Sequence, residues 1–515
     1  MPADSGICYV KTLMLVQVIR KVIVQEPMTD NQAITYETAP SGYKWKALIT
    51  VALGTSLGTM DMSVTNLSLP ILTGVFNVPL TIVIWVALAY GLTTTSLALV
   101  LGRAGDLIGR KKIYTSGMLI FSLGMILCAL AQSIGQLITF RFFQALGSSM
   151  MVATSAAIVT EVFPPSERGM GLGLLGVSVS AGFITGPILG GFLLSWLGWR
   201  SIFYVRAPIG LLIFIMAWVL LQPDQPKKEK VKFDLLGTFL SASSLSGFVL
   251  AVSQINRFGP ASPVFLLLIG SSLAGLLLFL WVEGRTEDPI VDRTLFKNPV
   301  FSRTTLALLL TFTAYPCAMM LMPFYLMQGL TLGPAQAGGI MAVGSLATII
   351  VGPVSGWLSD KFGQAVFAIL GAAVTLAGFV LMRGLGIQTS LISLVLVLFV
   401  FGSGVGLFQS PNNSSIMGSV ERNRLGTASA LMATLRQVGF SVGTAISGTL
   451  YSIRKASHQE TLGHLNLNND PISNQAVTFA FHDILLIAIF LMSLVLLLSI
   501  VSGTQKKTRR TVDFS

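Results

Sequence analysis

Apolar runs of roughly 20 residues, separated by short polar segments, recur along the whole chain. A run of that length crosses a hydrocarbon core as a helix, and a helix satisfies its own backbone hydrogen bonds where no water is available. The repetition therefore demands an all-α integral membrane protein. Composition agrees: 10% of the 515 residues are charged and 53% are hydrophobic, against about 25% charged in soluble domains.

The runs place spans at 46–72, 79–101, 113–131, 136–160, 170–195, 202–222, 234–254, 262–283, 304–328, 336–358, 365–383, 390–414, 426–453 and 480–502, fourteen in all. An even number returns the chain to its starting side, so loops should alternate between basic and neutral. One set carries Arg103, Arg110, Lys111, Lys112, Lys227, Lys228, Arg303 and Lys361; the other has only Arg200, Arg206, Arg257, Arg383, Arg454 and Lys455. The first set and both termini, including "KKTRR" at 506–510, are expected on the cytoplasmic side of the plasma (inner) membrane.

The net charge of +12 is thus explained by topology, since the basic residues lie in short clusters between apolar runs and form no nucleic-acid-binding domain. Cys8, Cys128 and Cys317 have no metal or disulfide spacing, and His458 and His464 share one polar segment. No metal, no cofactor and no enzyme activity are expected. The apolar stretch "TLMLVQVI" within residues 1–43 is too short to span, and Met28 is the expected true start.

An internal repeat divides the chain. "GRAGDLIGRKK" at 102–112 and "GWLSDKFGQ" at 356–364 share Gly-x-x-x-Asp-x-x-Gly, with Gly102, Asp106 and Gly109 matching Gly356, Asp360 and Gly363 at an offset of 254. Each follows the second helix of a six-helix block. The resulting plan is an extension at 1–43, a half at 44–222, a linker with two inserted helices at 223–303, a second half at 304–502 and a basic tail at 503–515.

Polar residues inside the spans carry the functional expectations. In the first span "MDMSVTNLSLP" at 60–70 holds Asp61, and Thr65 and Ser68 fall on the same helical face. A carboxylate at mid-depth is costly unless it meets a partner or a cavity, so its protonation can be coupled to conformation. In "RFFQALG" at 141–147, Arg141, Gln144 and Ser148 again share one face, and a guanidinium inside a bundle must find an acid, a carbonyl or water. Gly182, Gly186 and Gly190 recur every fourth residue beside Pro187, a flat face suited to close packing and to a sealed hinge between halves. Asn412 and Arg436 are further cavity candidates. "GLGLLG" at 171–176 mimics a dinucleotide fingerprint, but it opens a membrane helix and follows no strand.

These motifs, with "GFITGPILGG" at 182–191, resemble the major facilitator superfamily over about residues 44–503, specifically its fourteen-helix drug:proton antiporter branch of the EmrB/QacA type. The resemblance implies two six-helix pseudo-symmetric halves plus two inserted helices, and export of amphipathic drugs or other small organic molecules in exchange for protons. Asp61 and Arg141 would couple protons, and Thr65, Ser68, Gln144, Ser148, Asn412 and Arg436 would line the substrate cavity. Gly102, Asp106, Gly109, Arg110, Asp360 and Gly363 would form a gating loop. The proton-motive force would supply energy, and a Gram-negative host would add a periplasmic adaptor and outer-membrane channel. Two departures stand out: Ala145 occupies the place of a usual glycine, and Gln364 faces Arg110 across the repeat. Other expectations of the same residues are export of one dedicated metabolite, lipid or siderophore, or a non-transporting membrane scaffold or sensor.

Overall fold

The computed structural model describes residues 42–164, 167–223, 235–259, 262–285, 293–421, 425–463 and 469–512. The proposed start at Met28 lies outside them. The first half contains α1 (Tyr43–Phe76), α2 (Trp85–Ile108, entered through a short helix at Leu80–Val83), α3 (Arg110–Leu130), α4 (Ile134–Val162), α5 (Arg168–Leu197) and α6 (Arg206–Leu220, after a turn at Ser201–Tyr204). The inserted pair is α7 (Leu235–Phe258) and α8 (Pro263–Glu283). The second half contains α9 (Pro299–Met319, extended by Met322–Phe324 and a π turn at Tyr325–Gly329), α10 (Pro334–Phe362), α11 (Gln364–Arg383), α12 (Leu391–Gly418), α13 (Leu425–Gly463) and α14 (Asn469–Val512).

Among the described residues twelve helical stretches are long and apolar enough to cross a membrane. The expected count of fourteen spans is not reached, since neither α7 nor α13 is among the twelve; α13 carries Arg436 and Gln437 amid glycine, serine and threonine. The polar segment expected as a long loop at 454–479 is largely helical, since α13 runs to Gly463 and α14 begins at Asn469. Hydropathy reports where a chain leaves lipid, and a helix can continue beyond that point.

The halves repeat one packing scheme. Helix α4 packs on α2 and α3, and α12 packs on α10 and α11 in the same way. Small residues allow the approach: a Cβ at Gly147 would sit 2.3 Å from the Phe121 backbone nitrogen, and one at Gly371 would sit 2.2 Å from that of Phe408, so the helix backbones touch. The inserted α7 lies against α2 and α13, with α8 outside it. Trp196 and Ile392 are 75% and 73% exposed, as befits side chains that face lipid tails.

The repeat extends to backbone geometry. Gly109 (φ 119°, ψ 134°) ends α2, and Gly363 (φ 103°, ψ 130°) ends α10. A side chain is strained in that region of φ/ψ space. Gly109→Ala and Gly363→Ala are each expected to cost about 1–3 kcal/mol, read as lowered thermal stability in detergent, while Gly339→Ala, where an added Cβ meets nothing within 4 Å, serves as the neutral control. Beyond the glycines, Arg110 donates to Asp106 Oδ1 at 2.8 Å and to Glu161 Oε2 at 3.0 Å. At the same offset of 254, Gln364 accepts from Ser415 Oγ at 3.1 Å. The departure at Gln364 is therefore a paired exchange: a salt bridge in one half is a neutral hydrogen bond in the other.

Candidate functional site

Helix α1 brings Asp61 to the centre of the first half, where its side chain is 0% exposed. Helix α4 presents Arg141 and Gln144 from successive turns, as their spacing of three requires. Arg141 Nη1 donates to Asp61 Oδ2 at 2.6 Å and to Gln144 Oε1 at 2.8 Å, and its Nε donates to the Val86 carbonyl at 3.2 Å. Gln144 Nε2 donates to Asp61 Oδ1 at 3.1 Å. Both carboxylate oxygens thus act as acceptors, the bonding pattern of an ionised acid.

A third charge completes the cluster. Arg206 Nη2 lies 2.9 Å from Asp61 Oδ1, with the arginine side chain 1% exposed. That contact is close but poorly aligned, for both Nη atoms of Arg206 are buried without a hydrogen-bond partner, while its Nε donates to the Ile202 carbonyl. Two guanidiniums face one carboxylate, so the buried trio carries a formal charge of +1. Sequence reasoning missed Arg206 by placing it in a neutral loop. The available signal was its position four residues inside the expected span at 202–222.

Around the cluster, the Arg141 guanidinium carbon stands 4.3 Å from the Tyr90 ring centroid, a cation–π contact. The Tyr90 hydroxyl donates to Ser148 Oγ at 2.7 Å. Tyr90 and Arg141 also line a cavity between the halves, together with Thr65, Asn66, Phe440, Ser441 and Thr444. Thr65 Oγ1 is buried and has no hydrogen-bond partner among the described residues, and Ser68 Oγ donates to the Thr65 carbonyl at 2.7 Å. Asn66, formally within a glycosylation sequon, is 8% exposed.

Other expected residues lie elsewhere. Asn412 is not on the central cavity: its Nδ2 donates to the Thr304 carbonyl at 3.2 Å, and it lines a separate pocket within the second half beside Arg303 and Ser499. Arg436 donates from Nη2 to Asn413 Oδ1 at 3.0 Å, and its Nε is buried and unpartnered. Asp106 and Arg110 pair along one helix boundary and with α4, so this latch ties helices of the first half to one another. Gly102 faces Ala153 of α4. Asp360, in the second half, is exposed.

The glycine stripe also needs correction. Added Cβ atoms at Gly182, Gly186 and Gly190 would collide with Thr59, Ser63 and Val64, so this face packs on α1 inside its own half. The seam between halves is the neighbouring face. There a Cβ on Gly338 would lie 2.1 Å from the Pro187 carbonyl oxygen, and one on Gly191 would lie 2.6 Å from that of Pro334. Ala335 N donates to Ser195 Oγ at 3.0 Å, and Gln328 Nε2 reaches Thr73 Oγ1 at 3.5 Å. With the Thr95–Ser441 contact at 3.2 Å, these join the halves from mid-depth to the face opposite the basic loops.

Among the described residues no group of three or more His, Cys, Asp or Glu could hold a metal. The Major Facilitator Superfamily model matches residues 51–444. Riboflavin transporter RibZ of Clostridioides difficile is 32% identical over 429 residues, covering 82% of this chain and 91% of that protein. Multidrug resistance protein Stp of Mycobacterium tuberculosis is 31% identical over 405 residues, covering 78% and 75% respectively. In fold, a bacterial homolog of the human lysosomal transporter Spinster, solved inward-facing and unoccupied, superimposes with a TM-score of 0.66 at 16% identity, covering 90% of this chain and 98% of that one. By the family match and these relatives, the chain belongs to the Major Facilitator Superfamily, as a multi-pass membrane transporter of small molecules that needs no cofactor.

Proposed function

We propose that this transporter is a proton-coupled antiporter of the fourteen-span drug:proton branch, with α7 and α8 as its two inserted spans, exporting amphipathic organic molecules across the cell membrane. One observation carries the reading: Asp61, the carboxylate of the central cluster, is held between Arg141 and Arg206 beside the cavity between the halves. A proton on Asp61 removes the charge that holds the two guanidiniums together. Two guanidiniums buried against one carboxylate repel each other once that carboxylate is neutral. Protonation therefore loosens α4 and α6 from α1, and deprotonation draws them back.

The cycle follows from this switch. With the face opposite the basic loops sealed and Asp61 ionised, substrate enters from the basic, cytoplasmic side. The halves rock, substrate leaves to the other side, and a proton taken there by Asp61 sets the return. Support for drug export comes from the likeness to multidrug resistance protein Stp. The 32% identity to RibZ, across 91% of that protein, favours a second reading in which the cargo is riboflavin or a similar heteroaromatic compound.

Proteoliposomes containing the purified chain test both. An imposed pH gradient is expected to drive accumulation of a fluorescent amphipathic dye, and a protonophore is expected to abolish it. Dye flux indifferent to the gradient overturns proton coupling. Riboflavin that blocks dye flux competitively decides for the second reading, and riboflavin without effect decides against it.

A further inference from the structure

The charge inside the bundle is unbalanced. Among the described residues the buried guanidinium groups of Arg141 and Arg206 and the half-buried one of Arg436 stand against Asp61; Glu283 is also buried but closes the outer helix α8. Asp61 is already engaged by two of the three arginines. Arg436 is met by the Asn413 amide oxygen at 3.0 Å and by the Phe312 ring, 5.7 Å from its guanidinium carbon, neither of which carries a negative charge. Its Nε is buried without a hydrogen-bond partner.

A guanidinium half-buried in a membrane bundle without an acid is costly, and such a group is retained where a ligand supplies the missing charge. Position agrees with that role. Arg436 lies on α13 one turn before Phe440, which lines the central cavity with Ser441 and Thr444. The turn lies toward the basic-loop end, from which an exporter loads. Phe440 also lies tilted beside Tyr315, with ring centroids 6.4 Å apart, so an aromatic wall adjoins the cation.

We propose that Arg436 is a substrate-binding residue that pairs with an anionic group, a carboxylate or phosphate, on an aromatic substrate, so that the transporter favours organic anions over cations. The proposal deepens the transport reading above and rests on it, but equilibrium binding tests it without any proton gradient. Fluorescein (anionic) and rhodamine 6G (cationic) share a xanthene core, and their affinities for the full-length protein in nanodiscs can be measured by fluorescence polarisation.

Wild type is expected to bind fluorescein about tenfold more tightly than rhodamine 6G, as one charge-assisted contact allows. Arg436→Gln is expected to weaken fluorescein binding about tenfold while leaving rhodamine 6G unchanged, and Arg436→Lys to keep most of the preference. A wild type that prefers the cation, binds both alike or binds no fluorescein overturns the proposal. So does an Arg436→Gln variant that weakens both dyes equally. Loss of gradient-driven flux with the anion preference intact would instead count against proton coupling alone.

Discussion

Asp61→Asn is expected to abolish pH-gradient-driven transport and to lower the thermal stability of the purified protein. The two effects have separate origins. Transport fails because an amide cannot exchange a proton, so the cluster has one charge state throughout the cycle. Stability falls because Arg141 and Arg206, 1% exposed each, lose their shared counter-charge; removing one partner of a buried ion pair typically costs about 3–5 kcal/mol. The double variant Asp61→Asn, Arg206→Met separates them. Deleting the arginine that makes no aligned hydrogen bond to the carboxylate relieves the repulsion, so stability is expected to recover in part while transport stays absent. Full gradient-driven flux in Asp61→Asn would remove Asp61 from the coupling mechanism, and an unchanged melting temperature would show that the trio is not the electrostatic unit described.

Gly338→Val is expected to shift the transporter away from the state in which the face opposite the basic loops is sealed. A Cβ at Gly338 would stand 2.1 Å from the Pro187 carbonyl oxygen and 3.2 Å from Gly191 Cα. Backbone blocks the new atoms, and no side-chain rotation makes room for them. Overpacking of this kind costs about 1–3 kcal/mol, an equilibrium shift of about 5- to 150-fold. The cost falls on the closed seam, because helices that rock apart no longer meet there. A Ser195→Cys probe, at the seam beside Ala335, is expected to react faster with a membrane-impermeant maleimide in the Gly338→Val background. Equal labelling rates in both backgrounds would show that α5 and α10 do not separate during the cycle.

Much of this was legible before any coordinates. Periodicity located the helices because lipid admits little else, and the shared Gly-x-x-x-Asp-x-x-Gly marked Gly109 and Gly363, two of the positive-φ glycines, since the requirement for glycine is local. Asp61 and Arg141 could be singled out because each is an isolated charge in an apolar span. Arg206 was harder to read: an arginine near a span end is ordinarily a topological signal, and only the tertiary packing that brings its Nη2 to 2.9 Å from Asp61 Oδ1 pairs it with that acid. For the same reason Asn412, polar and deep, could be expected on the cavity, whereas the rotation of α12 turns it toward Thr304 instead.

The glycine stripe marks the division most clearly. Spacing alone determined that Gly182, Gly186 and Gly190 form one close-packing face, because helical periodicity is a property of a single chain segment. Which helix meets that face is not a local property. The tertiary structure decided that it is α1, and that Pro187 and Gly191, about a quarter-turn around the helix, meet the other half, because contact partners depend on how fourteen helices share one finite volume.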